Sequence, residues 1–344
     1  MDDFQKLLSD YDYPIAPENI ALVPREPRDS AKLLVYKKST GTVTLDTYAR
    51  LAEYLPKNAL LVFNDTKVIP ARLYAHKVTG GKVELLCTEV SPMINQCKAL
   101  TNRRLRIGDV LTSFESTLTV TGKTDTEYIF SVSPSIEALV QAHGTTPIPP
   151  YLKQTPLTEY ELRMRYQTMF AKYDGSAAAP TASLHFTPEL MHSLHNAGIA
   201  HTTITLHVSL GTFAPLTASA VAEGKLHEEW YSISEASARA LNEAKLEGRP
   251  IIPVGTTALR TIESATDDTG MVIPGTATTR LFITPGYVHK ITRGLITNFH
   301  VPKSSLLMLV ASLIGREKLF ELYAYAKHND FRFFSFGDGM LIAE

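Results

Sequence analysis

Ala59-Leu60-Leu61-Val62-Phe63 is the stretch that most restricts how this chain can fold. Five consecutive apolar residues with no polar alternation need cover on both faces, as in an interior, parallel strand of an α/β sheet. The run ends in Asn64-Asp65-Thr66, a polar loop at the carboxyl end of the strand. Ligands gather at such ends in open α/β sheets, so Asn64 and Asp65 are site candidates, although both also suit a turn.

Residues 67 to 133 have a different texture, with short β stretches and no helical period. Tyr74–Thr79 and Lys82–Val90 flank Gly80-Gly81, a hairpin signal, and short runs follow at Cys97–Thr101, Arg103–Ile107, Leu111–Phe114, Thr117–Thr121 and Tyr128–Val132. Strands so short and regularly spaced predict a small antiparallel barrel or sandwich of about six strands. Pro147-Ile148-Pro149-Pro150 reads as the return linker. The expectation is a mixed α/β domain, residues 1–66 and 155–344, interrupted by a β-barrel domain at 67–154.

The α/β texture then resumes. Thr158 to Tyr173 reads as helical, and Ile204, Leu206 and Val208 alternate with polar residues as a strand. Leu226 to Tyr231 reads as a surface edge strand, or as aromatics beside carboxylates that hold a ribose or base. Ser234 to Glu247 is a capped helix, Leu281 to Tyr287 a strand and turn, and Phe331 to Ile342 a hairpin about Gly337-Asp338-Gly339.

Asp174 to Thr187 spends small residues where bulk is expected, as a pocket floor does, and leads through Thr187-Pro188-Glu189 into a helix. His185 stands just before that helix, where free amides favour an anion. Gly255-Thr256-Thr257, between a buried strand and a helix bearing Arg260, is a second anion-ready amide cluster, and Thr297-Asn298-Phe299-His300 opens a second polar loop with a histidine. His192 and His195 read as surface residues.

Composition bounds the partners. A net charge of −1 over 344 residues draws the chain to no polyanion globally, so nucleic acid must meet a local patch. Arg163, Arg165, Lys172, Lys290, Arg293 and Lys303, with Arg103 and Arg104 on the barrel, are the cations named for it. The two cysteines, Cys87 and Cys97, support neither structural zinc nor a disulfide framework. No metal is expected, nor any membrane span, signal or transit peptide, and a reducing cytoplasm fits.

Phe63-Asn64-Asp65-Thr66-Lys67-Val68-Ile69-Pro70-Ala71-Arg72-Leu73, Tyr166-Gln167-Thr168, Ala178-Ala179-Pro180-Thr181-Ala182, Leu184-His185-Phe186-Thr187, Gly211-Thr212-Phe213, Val254-Gly255-Thr256-Thr257, Thr297 to Ser304 and Phe336-Gly337-Asp338 resemble the S-adenosylmethionine:tRNA ribosyltransferase-isomerase family of queuosine synthesis. The motifs span the chain in order. The resemblance implies an α/β domain interrupted by a six-stranded barrel. It also implies S-adenosylmethionine as co-substrate and a tRNA carrying 7-aminomethyl-7-deazaguanine at the wobble position as partner, with epoxyqueuosine, adenine and methionine as products. A monomer is expected.

His185, His300 and Asp65 are the catalytic candidates, and histidine is the side chain that titrates near neutrality without a large shift. His185 is favoured as base because its loop admits a ligand closely. Asn64, Arg72, Thr181, Thr212, Thr256, Thr257, Arg260, Asn298, Lys303 and Asp338 are the candidates for substrate binding. Ser183, Ser209 and Thr284 depart from the glycine, glycine and tyrosine expected there. These departures raise the alternative of a same-fold paralogue with another nucleoside acceptor. A non-catalytic RNA-binding protein is the third reading.

Overall fold

A computed structural model describes residues 3–124, 127–208 and 216–344. It begins with α1 (Asp3–Asp10), β1 (Lys32–Lys37), β2 (Thr42–Thr47), β3 (Leu60–Asn64) and β4 (Thr66–Val68). The apolar run forms β3, buried along its whole length. Leu61 and Phe63 share a core with Phe186, Leu190 and Leu194, whereas Leu60 and Val62 share another with Leu241, Ala258 and Ile262. Two cores, one on each face, account for the missing alternation.

Next come β5 (Arg72–Lys77), β6 (Lys82–Ser91), β7 (Gln96–Thr101), β8 (Val110–Ser113), β9 (Ser116–Lys123) and β10 (Tyr128–Ser133). They close into a six-stranded barrel in the order β10-β7-β6-β5-β8-β9, antiparallel throughout. Closure removes exposed strand edges. Helix α2 (Ile136–His143) adds Ile136, Leu139 and Val140 to the barrel core. The expected α/β fold with an inserted six-stranded antiparallel barrel is therefore what the chain adopts. Gly80, at φ +83°, makes the hairpin turn. Arg103–Ile107 is not the expected strand. Leu105 dips into the core and its N–H donates to the Tyr128 hydroxyl at 3.0 Å, which leaves the three arginines on an exposed connection.

The return adds α3 (Glu159–Arg165), β11 (Tyr173–Ser176), α4 (Pro188–Asn196), β12 (Ala200–Leu206), α5 (Ala218–Glu223), β13 (Lys225–Ile233), α6 (Glu235–Leu246), β14 (Ile251–Pro253), α7 (Thr256–Ala265), β15 (Gly275–Leu281), β16 (Leu295–Asn298), α8 (Ser305–Ile314), α9 (Arg316–His328) and β17 (Gly339–Ala343). One sheet runs β14-β3-β12-β13-β15 and another β16-β17-β1-β2. A bridge between Val254 and Ile296 joins them. Strands β14, β3 and β12 are parallel.

Four local readings change. The helix expected across Thr158–Tyr173 ends at Arg165, after a capping box between Thr158 and Glu161. Leu226–Tyr231 lies in β13, interior between β12 and β15 rather than at an edge. The strand expected from Leu281 ends there. The hairpin expected at Phe331–Ile342 is absent, because β17 finds its partners in β1 and β16. No helix among the described residues is long and apolar enough to cross a membrane.

Candidate active site

Three loop segments from distant parts of the sequence meet where β14, β12 and β16 end. Gly255, at φ +94°, turns the chain from β14 into α7, and its N–H donates to the Ile296 carbonyl at 2.8 Å. No side chain caps α7, so its first-turn amides stay free toward the space beside Thr256 and Thr257. Asn64 Nδ2 donates to Thr257 Oγ1 at 3.3 Å and to the Leu206 carbonyl at 2.9 Å, which pins β3, β12 and α7 together.

The small-residue loop supplies the second wall. Ser176 Oγ donates to the Ala178 carbonyl at 2.7 Å and accepts from Val208 N–H at 3.0 Å, which holds Ala178, Ala179, Pro180, Thr181 and Ala182 against the cleft. The third wall is Thr297–Val301. Thr181 Oγ1 donates to Asn298 Oδ1 at 2.9 Å, and Thr297 Oγ1 lies 2.8 Å from His300 Nε2. The His300 backbone is held at both ends, by the Tyr323 hydroxyl on its N–H at 2.9 Å and by the Tyr13 hydroxyl on its carbonyl. Tyr151, Phe334 and Ser335 complete a cleft with about 680 Å3 of open space. Among the described residues, no charged side chain lines it. Burial lowers the His300 imidazole to about 3, so the ring is neutral at physiological pH.

Of the residues singled out in the sequence, Thr181, Thr256, Thr257, Asn298 and His300 come together here. Asn64 stands one layer behind. His185 does not line the cleft. Its buried ring stacks on Tyr48 at 4.3 Å and meets the cleft only through Asn298, whose Nδ2 is 3.4 Å from His185 Nε2. Burial lowers its pKa to about 4 although the Asp338 carboxylate pulls the other way. The α4 N-terminus beside it is already served, since Thr187 Oγ1 accepts from Leu190 N–H and donates to Asp29 at 3.0 Å.

Asp65 faces a second cleft, with Lys172, Tyr173, His207 and Trp230. Asp338 is fully buried and accepts from Arg25 Nε at 3.0 Å, Lys32 N–H at 2.9 Å and Arg332 N–H at 2.7 Å. Arg72 pairs with Glu84 on the barrel at 3.2 Å. Arg260 is buried against Glu229 and donates to the Leu281 carbonyl at 3.0 Å, and Lys303 pairs with Asp12 at 3.0 Å. Thr212, like Ser209, lies outside the described residues.

Ser183 is fully buried, its hydroxyl has no partner among the described residues, and it does not line the cleft. Thr284 faces a separate depression beside Met308 and Arg316. Sequence reasoning missed Tyr151 and Ser335, whose hydroxyls lie 2.8 Å apart in the wall. The prolines before Tyr151 signal only a linker. Among the described residues, no group of three or more His, Cys, Asp or Glu could hold a metal ion.

The geometry defines an α/β protein with a small-molecule cleft at the carboxyl ends of parallel strands, uncharged in its lining among the described residues and open at one side to a helix N-terminus. The chain belongs to the queuosine biosynthesis protein family, whose model matches residues 8–342. It is 42% identical over 344 residues to the S-adenosylmethionine:tRNA ribosyltransferase-isomerase of Desulforamulus reducens, covering 97% of this chain and 99% of that one. It is 45% identical over 341 residues to the protein so named from Carboxydothermus hydrogenoformans, with the same coverage. The crystal structure of S-adenosylmethionine tRNA ribosyltransferase from Thermotoga maritima is similar over 97% of this chain and 99% of that one, at 31% identity and a TM-score of 0.54.

Proposed function

We propose that this chain transfers and isomerises the ribosyl group of S-adenosylmethionine onto 7-aminomethyl-7-deazaguanine at the tRNA wobble position, releasing adenine and methionine and leaving epoxyqueuosine. The observation that carries this reading is the assembly of Thr181, Asn298, His300 and the uncapped first turn of α7 around one cleft, uncharged among the described residues, in a chain whose full-length relatives bear that enzyme's name.

S-adenosylmethionine fits the cleft by its chemistry. Its carboxylate suits the free amides of α7 and the hydroxyls of Thr256 and Thr257. Its sulfonium enters a lining that, among the described residues, offers no carboxylate. An ion pair there would stabilise the sulfonium more than the ylide formed when the ribose 5′ carbon loses a proton. An unpaired sulfonium in a poorly hydrated site keeps that carbon acidic.

His300 is the proton acceptor in this reading, in preference to His185, because only His300 lines the cleft. The step moves the 5′ C–H proton to the imidazole, so a sulfonium and a neutral ring become a ylide and an imidazolium. The number of cations in the cleft does not change, and the burial that holds the free ring neutral does not oppose the transfer in full. His185 acts as a positioning residue through Asn298.

The test is adenine release from S-adenosylmethionine, measured with tRNA bearing the deazaguanine, with unmodified tRNA and with no tRNA. Release is expected only with the first. Equal release in the absence of tRNA, or none with any, overturns the reading. The same-fold paralogue is not favoured, since the full-length relatives bear the transferase's name and Ser183 and Thr284, two of the three departures, lie outside the cleft lining.

A further inference from the structure

A second cleft, with about 1120 Å3 of open space, lies beyond β3 and β12 and has no part in the chemistry above. Its wall is an aromatic platform. Trp230, the sole tryptophan, is 40% exposed although it sits on an interior strand. Its inner face is covered by His207, with ring centroids 4.7 Å apart and planes 14° from parallel. His207 is itself fixed, since Thr66 Oγ1 lies 2.7 Å from its Nδ1. Gly175, at φ +145°, passes so close that a Cβ there would come within 2.7 Å of His207 Nε2. The outer face of a large ring is thus held flat toward open space, an arrangement that suits stacking on another ring.

The floor is Asp65, 6% exposed. Its partners are two hydroxyls and its own backbone N–H: Thr205 Oγ1 donates to Oδ1 at 2.6 Å, and Thr203 also hydrogen-bonds the carboxyl. Lys172 acts on it through space only, and burial raises its pKa. A half-desolvated carboxylate without a contacting cation gains from a pair of neighbouring N–H donors. A guanine-type base presents such a pair, N1–H and the 2-amino group, on one edge.

We propose that this cleft seats the base of the acceptor nucleotide, laid on Trp230 with its Watson–Crick edge on Asp65. Enzymes that act on a base read an extruded nucleotide in this way, by stacking and by edge hydrogen bonds. The 7-aminomethyl arm then lies away from the edge that Asp65 holds and is left free to react. His207 lines this cleft and its neighbour Val208 lines the first, so the two clefts border the same short segment at the end of β12. The inference rests on the function proposed above and assigns to Asp65 recognition of the base, not proton abstraction.

The experiment reads the emission of Trp230. The probes are an anticodon stem-loop carrying 7-aminomethyl-7-deazaguanine at the wobble position, the same stem-loop with adenosine there, and S-adenosylmethionine alone. The deazaguanine stem-loop is expected to quench the emission and S-adenosylmethionine is not. Asp65→Asn is expected to weaken that stem-loop's binding at least tenfold by fluorescence anisotropy and to erase its preference over adenosine. S-adenosylmethionine binding by equilibrium dialysis should stay within twofold. Trp230→Ala, at a position open to solvent, is expected to weaken stem-loop binding at least fivefold. Quenching by S-adenosylmethionine alone, or stem-loop binding that leaves the emission and the Asp65→Asn affinity unchanged, overturns the assignment. Quenching without adenine release supports the base cleft while sinking the proposed reaction, and adenine release without quenching does the reverse.

Discussion

Asp338 shows how a polar residue in a loop motif can serve architecture. Its carboxylate gathers the Arg25 guanidinium and the backbone N–H groups of Lys32 and Arg332, tying the entry segment, the start of β1 and the turn before β17 together. Asp338→Ala leaves a half-buried guanidinium and two amides without a partner. It should cost about 3–5 kcal/mol in urea unfolding. The opposite sign is expected at Ser183, whose buried hydroxyl is unpartnered among the described residues. Ser183→Ala should raise stability by about 1 kcal/mol, since a lone buried hydroxyl costs roughly 1–3 kcal/mol.

The two histidines set a pH dependence. Burial lowers His185 to about 4 and His300 to about 3, from an ordinary value near 6.5. In the window between, the unfolded chain binds the protons that the folded chain refuses. Stability is therefore full above pH 6.5 and falls as the pH drops toward 4, by at most ~1.4 kcal/mol per pH unit for each histidine. Urea midpoints at pH 7, 6 and 5 read this slope, which His185→Gln should reduce. His300→Gln is expected to lower adenine release by about 10² or more while S-adenosylmethionine binding stays within a few fold.

At the scale of elements, signals confined to a few consecutive residues are read reliably. Thr187 caps α4, Ser234 caps α6, and Gly80 makes the hairpin turn. Each depends on contacts within about four residues, which the sequence states directly. The entry to α7 is a sharper case. A Cβ at Gly255 would meet Ala182 and Thr257 at 3.8 Å, an ordinary contact, so Gly255→Ala pays for backbone conformation and not for a clash. At φ +94° the strain is of order 1–2 kcal/mol, visible as a lower melting temperature. Because it falls on the first turn of α7, weaker S-adenosylmethionine binding should accompany it. Gly337 differs, since a Cβ there would approach the Arg332 carbonyl oxygen to 2.4 Å, and Gly337→Ala should disturb the same turn that Asp338 secures.

For the whole molecule, the question is how a chain of net charge −1 holds a polyanion. Several of the cations named from sequence are committed elsewhere: Arg163 to Glu159, Arg165 to Glu26, Lys290 to Asp268 and Lys303 to Asp12. Arg103, Arg104, Lys172 and Arg293 are exposed and carry the expectation of phosphate contact. Replacing Arg103 and Arg104 together by alanine should reduce the slope of log K against log salt for tRNA by about one to two. Lys303→Ala should change it less, because Asp12 already offsets that charge.

The sequence by itself determined the doubly covered strand, the antiparallel insert, the helix caps and the glycine turns. Each of these is written in a period or in neighbours along the chain. Only the tertiary structure decided which motif residues share a cleft. His185 and His300 sit in equally polar loops, yet packing turns His185 onto Tyr48 and leaves His300 on the cleft wall. Asn64 and Asp65 are adjacent, yet the alternation of side chains along the strand sends one toward α7 and the other to the far cleft. Tyr151 and Ser335, some 180 residues apart, meet at 2.8 Å because the Tyr151 ring packs on Phe334, with centroids 4.8 Å apart. Local pattern specifies which face of an element is apolar, but what stands opposite a polar side chain depends on how distant elements bury those faces together.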